Sequence, residues 1–225
     1  MTTRLAGKRI LITQADDYMG PAYSAMFREH GAEVIEDRSD LTEPSAAAAA
    51  VESAGHIDVL VANLAARAHG GKGILEISDD IWHDMFDIMV HPLPRLVQAA
   101  LPAMIERRSG KIIVVGSATG LKALPGASAY SAARTAQVGY VRTVGAEVAP
   151  HNVQINLIAQ NFVENPIYFS EKFQETDMFK QMISGVPAGR LASAGEDAML
   201  AVFLASNESD FFVGQSIPFS GGWTQ

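Results

Sequence analysis

Short apolar runs of strand length alternate along the chain with longer stretches whose apolar positions recur at helical spacing. That alternation is the pattern of a parallel sheet with helices on both faces. Lys8 to Gln14 reads as the first strand, and Met19 to His30 as a helix closed by Gly31 in the C′ position. Glu33 to Glu36 is the second strand. Thr42, Glu43 and Pro44 predict a helix start, and five alanines, Ala46 to Ala50, carry that helix into Val51 and Glu52 as a small packing face. Ile57 to Ala62 is the third strand. Ser78 as a cap, with Asp79 and Asp80 in the first turn, opens a long helix toward Arg108, bent near Pro92 and Pro94 and ended by Gly110. Ile112 to Val115 gives the fourth strand, Ala129 to Ala149 a central helix, and Val153 to Ile158 the next strand. From Ala159 to Val186 the pattern breaks up, with Asn161, Asn165, Pro166, Gly185 and Pro187 as punctuation and Phe162, Tyr168, Phe169, Phe173 and Phe179 inside. A long aromatic segment after a strand's C-terminal end predicts a lid or pocket wall. Ser193 to Glu196 matches a capping box before Ala198 to Ala205, and Gly214 to Phe219 is the last strand. The expectation is one α/β domain over residues 1–225, a doubly wound parallel sheet, with residues 159–186 as an insertion that shapes the pocket.

Composition narrows the partners. The 225 residues are 48% hydrophobic and 19% charged, with a net charge of −8 from interspersed acidic and basic residues. An extended basic surface for nucleic acid is therefore not expected. No run reaches the roughly 18 apolar residues of a membrane span, and the polar Met1 to Gly7 leads straight into a strand without the look of a signal peptide. There are no cysteines, so disulfides and thiolate chemistry are excluded, and a cytoplasmic address is expected. The histidines His30, His56, His69, His83, His91 and His151 are scattered without ligand spacing, so no metal site is expected.

Candidate chemistry concentrates between Val115 and Arg134. The fourth strand delivers Ser117 to its C-terminal mouth, where open α/β sheets place their reacting groups. Tyr130 follows on the central helix with Arg134 four residues later, so the phenol and the guanidinium share a helical face. An unperturbed tyrosine has a pKa of about 10, too high for a base near neutrality. A guanidinium within reach favours the phenolate and prepares that base. For Ser117 alone, a strand-end hydroxyl bonded to backbone is the plain alternative.

These residues, with Asp58-Val59-Leu60-Val61 before an asparagine, Gly189-Arg190-Leu191, Phe203-Leu204-Ala205-Ser206 and Gly221-Gly222, resemble the short-chain dehydrogenases/reductases over essentially the whole chain. The resemblance implies a Rossmann-like fold. In that family the fourth residue after the tyrosine is a lysine that binds the nicotinamide ribose, and here it is Arg134. The family follows its first strand with three glycines that admit a dinucleotide pyrophosphate. This chain reads Thr13-Gln14-Ala15-Asp16-Asp17-Tyr18-Met19-Gly20, so Gln14 and Tyr18 stand at two glycine positions and only Gly20 remains. Asp16 and Asp17 add negative charge there, or are solvated turn residues. Aligning Trp82 and Gly110 with the family places Met89 where a proton-relaying asparagine is usual, and Gln160-Asn161-Phe162-Val163 where a proline-glycine pair borders the nicotinamide.

The combination is similar to the halohydrin dehalogenases, most of all their B-type branch. The resemblance implies Ser117, Tyr130 and Arg134 as the catalytic triad, a halide nest at Asn161, Phe162 and Val163 beside Gln160, and Tyr18 as its aromatic wall. The implied reaction is cofactor-independent closure of vicinal halohydrins to epoxides, reversible with small anions such as azide, cyanide and nitrite. The implied assembly is a homotetramer packed through the two long helices. A C-terminal tryptophan that serves a neighbouring subunit in some relatives is not carried over to Trp223. Two alternatives stay open. One is an NAD(P)-dependent oxidoreductase with a degenerate glycine turn, in which Asp37 would bind the adenine ribose. The other is a non-catalytic sensor or scaffold on the same fold.

Overall fold

In the computed structural model, which describes residues 3–67 and 73–225, six parallel strands run in the order β2-β1-β3-β4-β5-β6. They are β1 (Arg9–Ile12), β2 (Glu33–Glu36), β3 (Val59–Ala62), β4 (Gly110–Val115), β5 (Val153–Gln160) and β6 (Ser216–Phe219). The helices are α1 (Gly20–Glu29), α2 (Ala46–Ala54), α3 (Asp79–Met89), α4 (Pro92–Glu106), α5 (Ser128–Val148), α6 (Glu171–Gln174), α7 (Asp177–Ser184) and α8 (Ala194–Ala205). The predicted alternation is thus present as a Rossmann-like doubly wound sheet. His69 lies outside the described residues.

Alternation along each strand divides the core in two. Ile10, Ile12, Val59, Val61, Ile113 and Val115 meet Tyr23 and Phe27 of α1 and Ala198, Ala201 and Val202 of α8. On the other face Leu11, Leu60, Ile112, Val114, Ile155 and Leu157 meet Val51 of α2, Leu96 and Val97 of α4, and Val138 and Val141 of α5. The chain leaves β1 outward to β2 and returns to β3 on the opposite side of β1, with Ile12 level with Val61. Loops at this reversal part from each other at the C-terminal edge and open a crevice.

Several predicted boundaries move for local reasons. The single bent helix expected from Ser78 to Arg108 is two helices. Pro92 cannot continue α3, because it has no N–H and its ring would collide with the carbonyl four residues back. α3 stops at Met89, both Val90 and His91 donate to the Phe86 carbonyl, and α4 begins with Pro92 in its first turn. Within the 28 residues Asp79–Glu106 an 18-residue window reaches a mean hydropathy of 1.2, long and apolar enough on that count to cross a membrane. Their break, and the packing of Leu93, Leu96, Val97 and Met104 in the core, make them core helices here. The left-handed residue that ends α4 is Arg108 (φ 52), not Gly110, which opens β4 instead. α2 begins at Ala46 rather than near Thr42, whose N–H and hydroxyl both go to Asp40 Oδ1. Gly31 (φ 91) and the Ser193–Glu196 capping box are as expected.

One polar pair lies inside the apolar layer between α1 and α8. Tyr23 donates to Asp197 Oδ2 at 2.6 Å, and Asp197 Oδ1 has no partner. Burial pushes the Asp197 carboxyl up to about 7, with the Tyr23 hydrogen bond acting the other way.

Candidate functional site

β4 ends at Val115, Gly116 donates to the Ile158 carbonyl, and Ser117 leaves the sheet in an extended conformation (φ −142) to cap a single 3₁₀ turn, Ala118–Gly120. That turn lies hard against α5. A Cβ on Gly120 would stand 2.9 Å from the Arg134 carbonyl oxygen, so this close approach requires glycine. Ser117 Oγ accepts the Thr119 N–H at 3.3 Å and lies 3.0 Å from the Thr119 hydroxyl.

Tyr130 and Arg134 project from consecutive turns of α5, and both are buried, with 8% and 3% exposure. The guanidinium carbon sits 5.0 Å from the centre of the Tyr130 ring. Arg134 Nη1 donates at 3.0 Å to the carbonyls of Leu64 and Val115 and to Gln137 Oε1, while its Nε has no partner. Among the described residues every acceptor on this cation is neutral. A buried cation without a counter-ion is costly, so its field favours a bound anion beside it.

The β1–α1 turn keeps a glycine-like backbone while carrying side chains. Gln14 (φ 45) and Tyr18 (φ 50) both occupy the left-handed region. Gln14 Oε1 accepts the Ala65 N–H at 2.9 Å, and the Asn63 side-chain amide donates to the Gln14 and Asp17 carbonyls, each at 3.0 Å. Gly20 remains glycine for a steric reason, since a Cβ there would lie 2.4 Å from the Ala15 oxygen. Asp16 pairs with Arg38 at 2.6 Å on the surface, which is the solvated-turn reading. Asp37 Oδ1 accepts from the Ser39 hydroxyl at 2.8 Å, closing its own turn.

The Tyr18 ring lies 5.6 Å from that of Tyr168, whose hydroxyl donates to the Ala66 carbonyl at 2.6 Å. Burial is the largest cause raising the pKa of both phenols, and the nearby Tyr130 raises each further. Three tyrosines therefore surround one polar spot beside one guanidinium.

After β5, Asn161 N–H donates to the Phe219 carbonyl at 3.0 Å and Phe162 N–H to Asn161 Oδ1 at 2.9 Å. Phe162 is left-handed (φ 58), and Val163 bridges to Ala192. Two of the three amides expected in a nest are thus occupied by the protein's own acceptors, and among the described residues the Val163 amide has no partner. Phe162 packs at 5.9 Å edge-on to Trp223, which buttresses this wall and has Lys122 Nζ over its ring at 4.6 Å.

A cavity of about 280 Å³ is lined by Ser117, Tyr130, Arg134, Tyr18, Gln160, Asn161, Phe162 and Val163 together. All eight side chains singled out in the sequence meet there. Thr119 and Asn165 add polar groups that sequence reasoning gave no role, Tyr168 adds a hydroxyl where it foresaw only an aromatic wall, and Phe169, Phe173 and Met182 from the 159–186 segment close the apolar side. Across Tyr18 and Ala65 a larger open cleft of about 680 Å³ is lined by Asp17, Asp40, Asp84 and Arg67. Among the described residues no three His, Cys, Asp or Glu side chains are grouped to hold a metal ion.

A family model described as enoyl-(acyl carrier protein) reductase matches residues 2–224. The chain belongs to the short-chain dehydrogenase/reductase family. It is 31% identical over 245 residues to the 3-oxoacyl-(acyl-carrier-protein) reductase FabG of Vibrio harveyi, covering 97% of this chain and 98% of the relative. To the oxidoreductase UcpA of Escherichia coli K12 it is 31% identical over 254 residues, covering 98% and 96%. A solved structure titled "Dehalogenation enzyme" superposes with a TM-score of 0.91 at 30% identity, covering 98% of this chain and all of the other. In the resemblance set out above, Ser117 and Tyr130 stand at that family's serine and tyrosine, Arg134 at its lysine, and Gln14 and Tyr18 at two of its turn glycines.

Proposed function

We propose that this protein is a cofactor-independent halohydrin dehalogenase that closes vicinal halohydrins to epoxides. The observation that carries the reading is Tyr18, a side chain in a glycine's left-handed conformation that walls the same cavity as Tyr130. The residues do not fit a nicotinamide dinucleotide. Gln14 ties the turn to Ala65, Tyr18 fills the approach, and Arg134 is committed to Leu64, Val115 and Gln137. The neighbouring cleft would present Asp17, Asp40 and Asp84 against one Arg67 to an anionic dinucleotide. The likeness to a structure titled as a dehalogenation enzyme supports the same reading.

The chemistry needs a base at one end and an anion site at the other. Ser117 donates to the substrate oxygen and orients it, and Tyr130 as phenolate takes the hydroxyl proton. The oxygen then forms its bond to the neighbouring carbon as the carbon–halogen bond breaks, so one halohydrin gives one epoxide, one halide and one proton. The halide leaves toward Val163, Asn161 and the Phe162 and Tyr18 rings, donors weak enough to release it again. Azide, cyanide or nitrite entering the same place drives the reverse opening. A homotetramer packed through α3–α4 and α5, and a cytoplasmic address, go with this reading.

The second reading, a nicotinamide oxidoreductase, is favoured by the reductase names of the sequence relatives. Halide competition separates the two. Bromide at constant ionic strength should inhibit halohydrin turnover competitively while sulfate does not. Turnover indifferent to bromide would remove the halide assignment of Asn161 to Val163.

A further inference from the structure

Gln137 lies one turn beyond Arg134 on α5 and is wholly buried. Its Oε1 accepts from Arg134 Nη1 at 3.0 Å, and its Nε2 donates to the Met89 carbonyl at 2.8 Å. Met89 is the last residue of α3, whose final carbonyls have no partner within their own helix. One neutral amide therefore joins the site's cation to the end of the helix packed across it, at the position where the family resemblance places a proton-relaying asparagine. Met89 itself has only an apolar side chain to offer. An amide has one acceptor and one donor end, so it can satisfy the guanidinium and the carbonyl together without adding charge.

We propose that Gln137 is a positioning residue of this site: it fixes the Arg134 guanidinium under Tyr130 and, being uncharged, leaves that cation's field directed at the phenol. The proposal rests on the dehalogenase reading only for its kinetic readout. The environment of Tyr130 is otherwise held constant. α5 contributes Arg134, the β1–α1 turn contributes Tyr18, the segment after β5 contributes Tyr168, and the turn after β4 contributes the neutral Ser117 and Thr119. α3 presents Met85 and Met89, with its Asp84 on the cleft beyond Tyr18, and Asp17 and Arg67 act on Tyr18.

Carboxylate and amide have nearly the same shape, so Gln137→Glu changes charge with little change in volume. A carboxylate 3 Å from the guanidinium takes up its charge and weakens its support of the phenolate. The rising limb of the pH–rate profile should move up by about 1 pH unit or more. The tyrosinate absorbance assigned to Tyr130, by difference from Tyr130→Phe, should move the same way. Gln137→Met keeps the volume, removes both hydrogen bonds and adds no charge. It should lower kcat by about 10-fold with KM little changed, and leave the limb near its wild-type position.

If Gln137→Glu folds and leaves both the limb and the Tyr130 absorbance titration unmoved, the proposal is overturned. If Gln137→Glu does not fold, Gln137→Met decides, and wild-type kcat in that variant overturns it as well. If wild type releases no halide but the absorbance titration shifts as stated, the positioning role stands and the dehalogenase reading falls instead.

Discussion

Tyr130→Phe is expected to lower halide release from a vicinal halohydrin by about three orders of magnitude while leaving the fold intact. Only the hydroxyl is removed. The ring sits among Met85, Met89, Ala127 and Ala133, and phenylalanine keeps those contacts. A lost hydroxyl in a polar cluster costs at most about 1 to 2 kcal/mol, so the melting temperature should fall by only a few degrees. Ser117→Ala should cost less, about 10- to 100-fold, because in the proposed mechanism Ser117 orients the oxygen and Tyr130 takes its proton. Halide release at the wild-type rate from a folded Tyr130→Phe protein would remove Tyr130 as the base.

The second large effect concerns stability rather than rate. Asp197 titrates near 7 in the folded protein against 3.8 as its ordinary value, so between those values the folded state holds a proton that the unfolded state has released. Stability therefore falls as pH rises from about 4 to about 7 and carries the full penalty above 7. Asp197→Asn keeps an oxygen for the Tyr23 hydroxyl and removes the titration. The stability of the variant relative to wild type should rise across that window by of order 3 kcal/mol. Measuring the change with pH cancels any fixed cost of burying the amide. Parallel stability curves for the two proteins between pH 4 and 7.5 would show that Asp197 does not titrate there.

Much of this was legible because local rules and tertiary structure agree. The apolar runs that became β1, β3, β4 and β5 are buried on both faces, so each reads as a continuous hydrophobic stretch. Ser117, Tyr130 and Arg134 could be placed because the end of one strand and the face of one helix position all three. Pro92 signalled a disturbance but not its form, since bending and breaking depend on whether neighbouring carbonyls find other donors. The loop after β5 was legible only in part for the same kind of reason. Residue types name the loop, but only backbone geometry shows that the Asn161 and Phe162 amides already have acceptors. Gln137 was missed because a glutamine inside a helix carries no signal until its two partners, 48 residues apart in one case, are brought together. Tyr168 was legible as an aromatic of the pocket wall but not as a hydroxyl beside Tyr130, and Thr119 was silent as to role.

The central claim is that the site expels halide without a nicotinamide, and one incubation tests it most directly. Purified protein is mixed with a vicinal bromohydrin in weak buffer, with no cofactor added, and bromide and acid are followed together. The account predicts bromide and protons released in equal amounts, with the epoxide as product and a rate unchanged by NADH or NADPH. Turnover that appears only when a nicotinamide is supplied, with no bromide released in its absence, would contradict it.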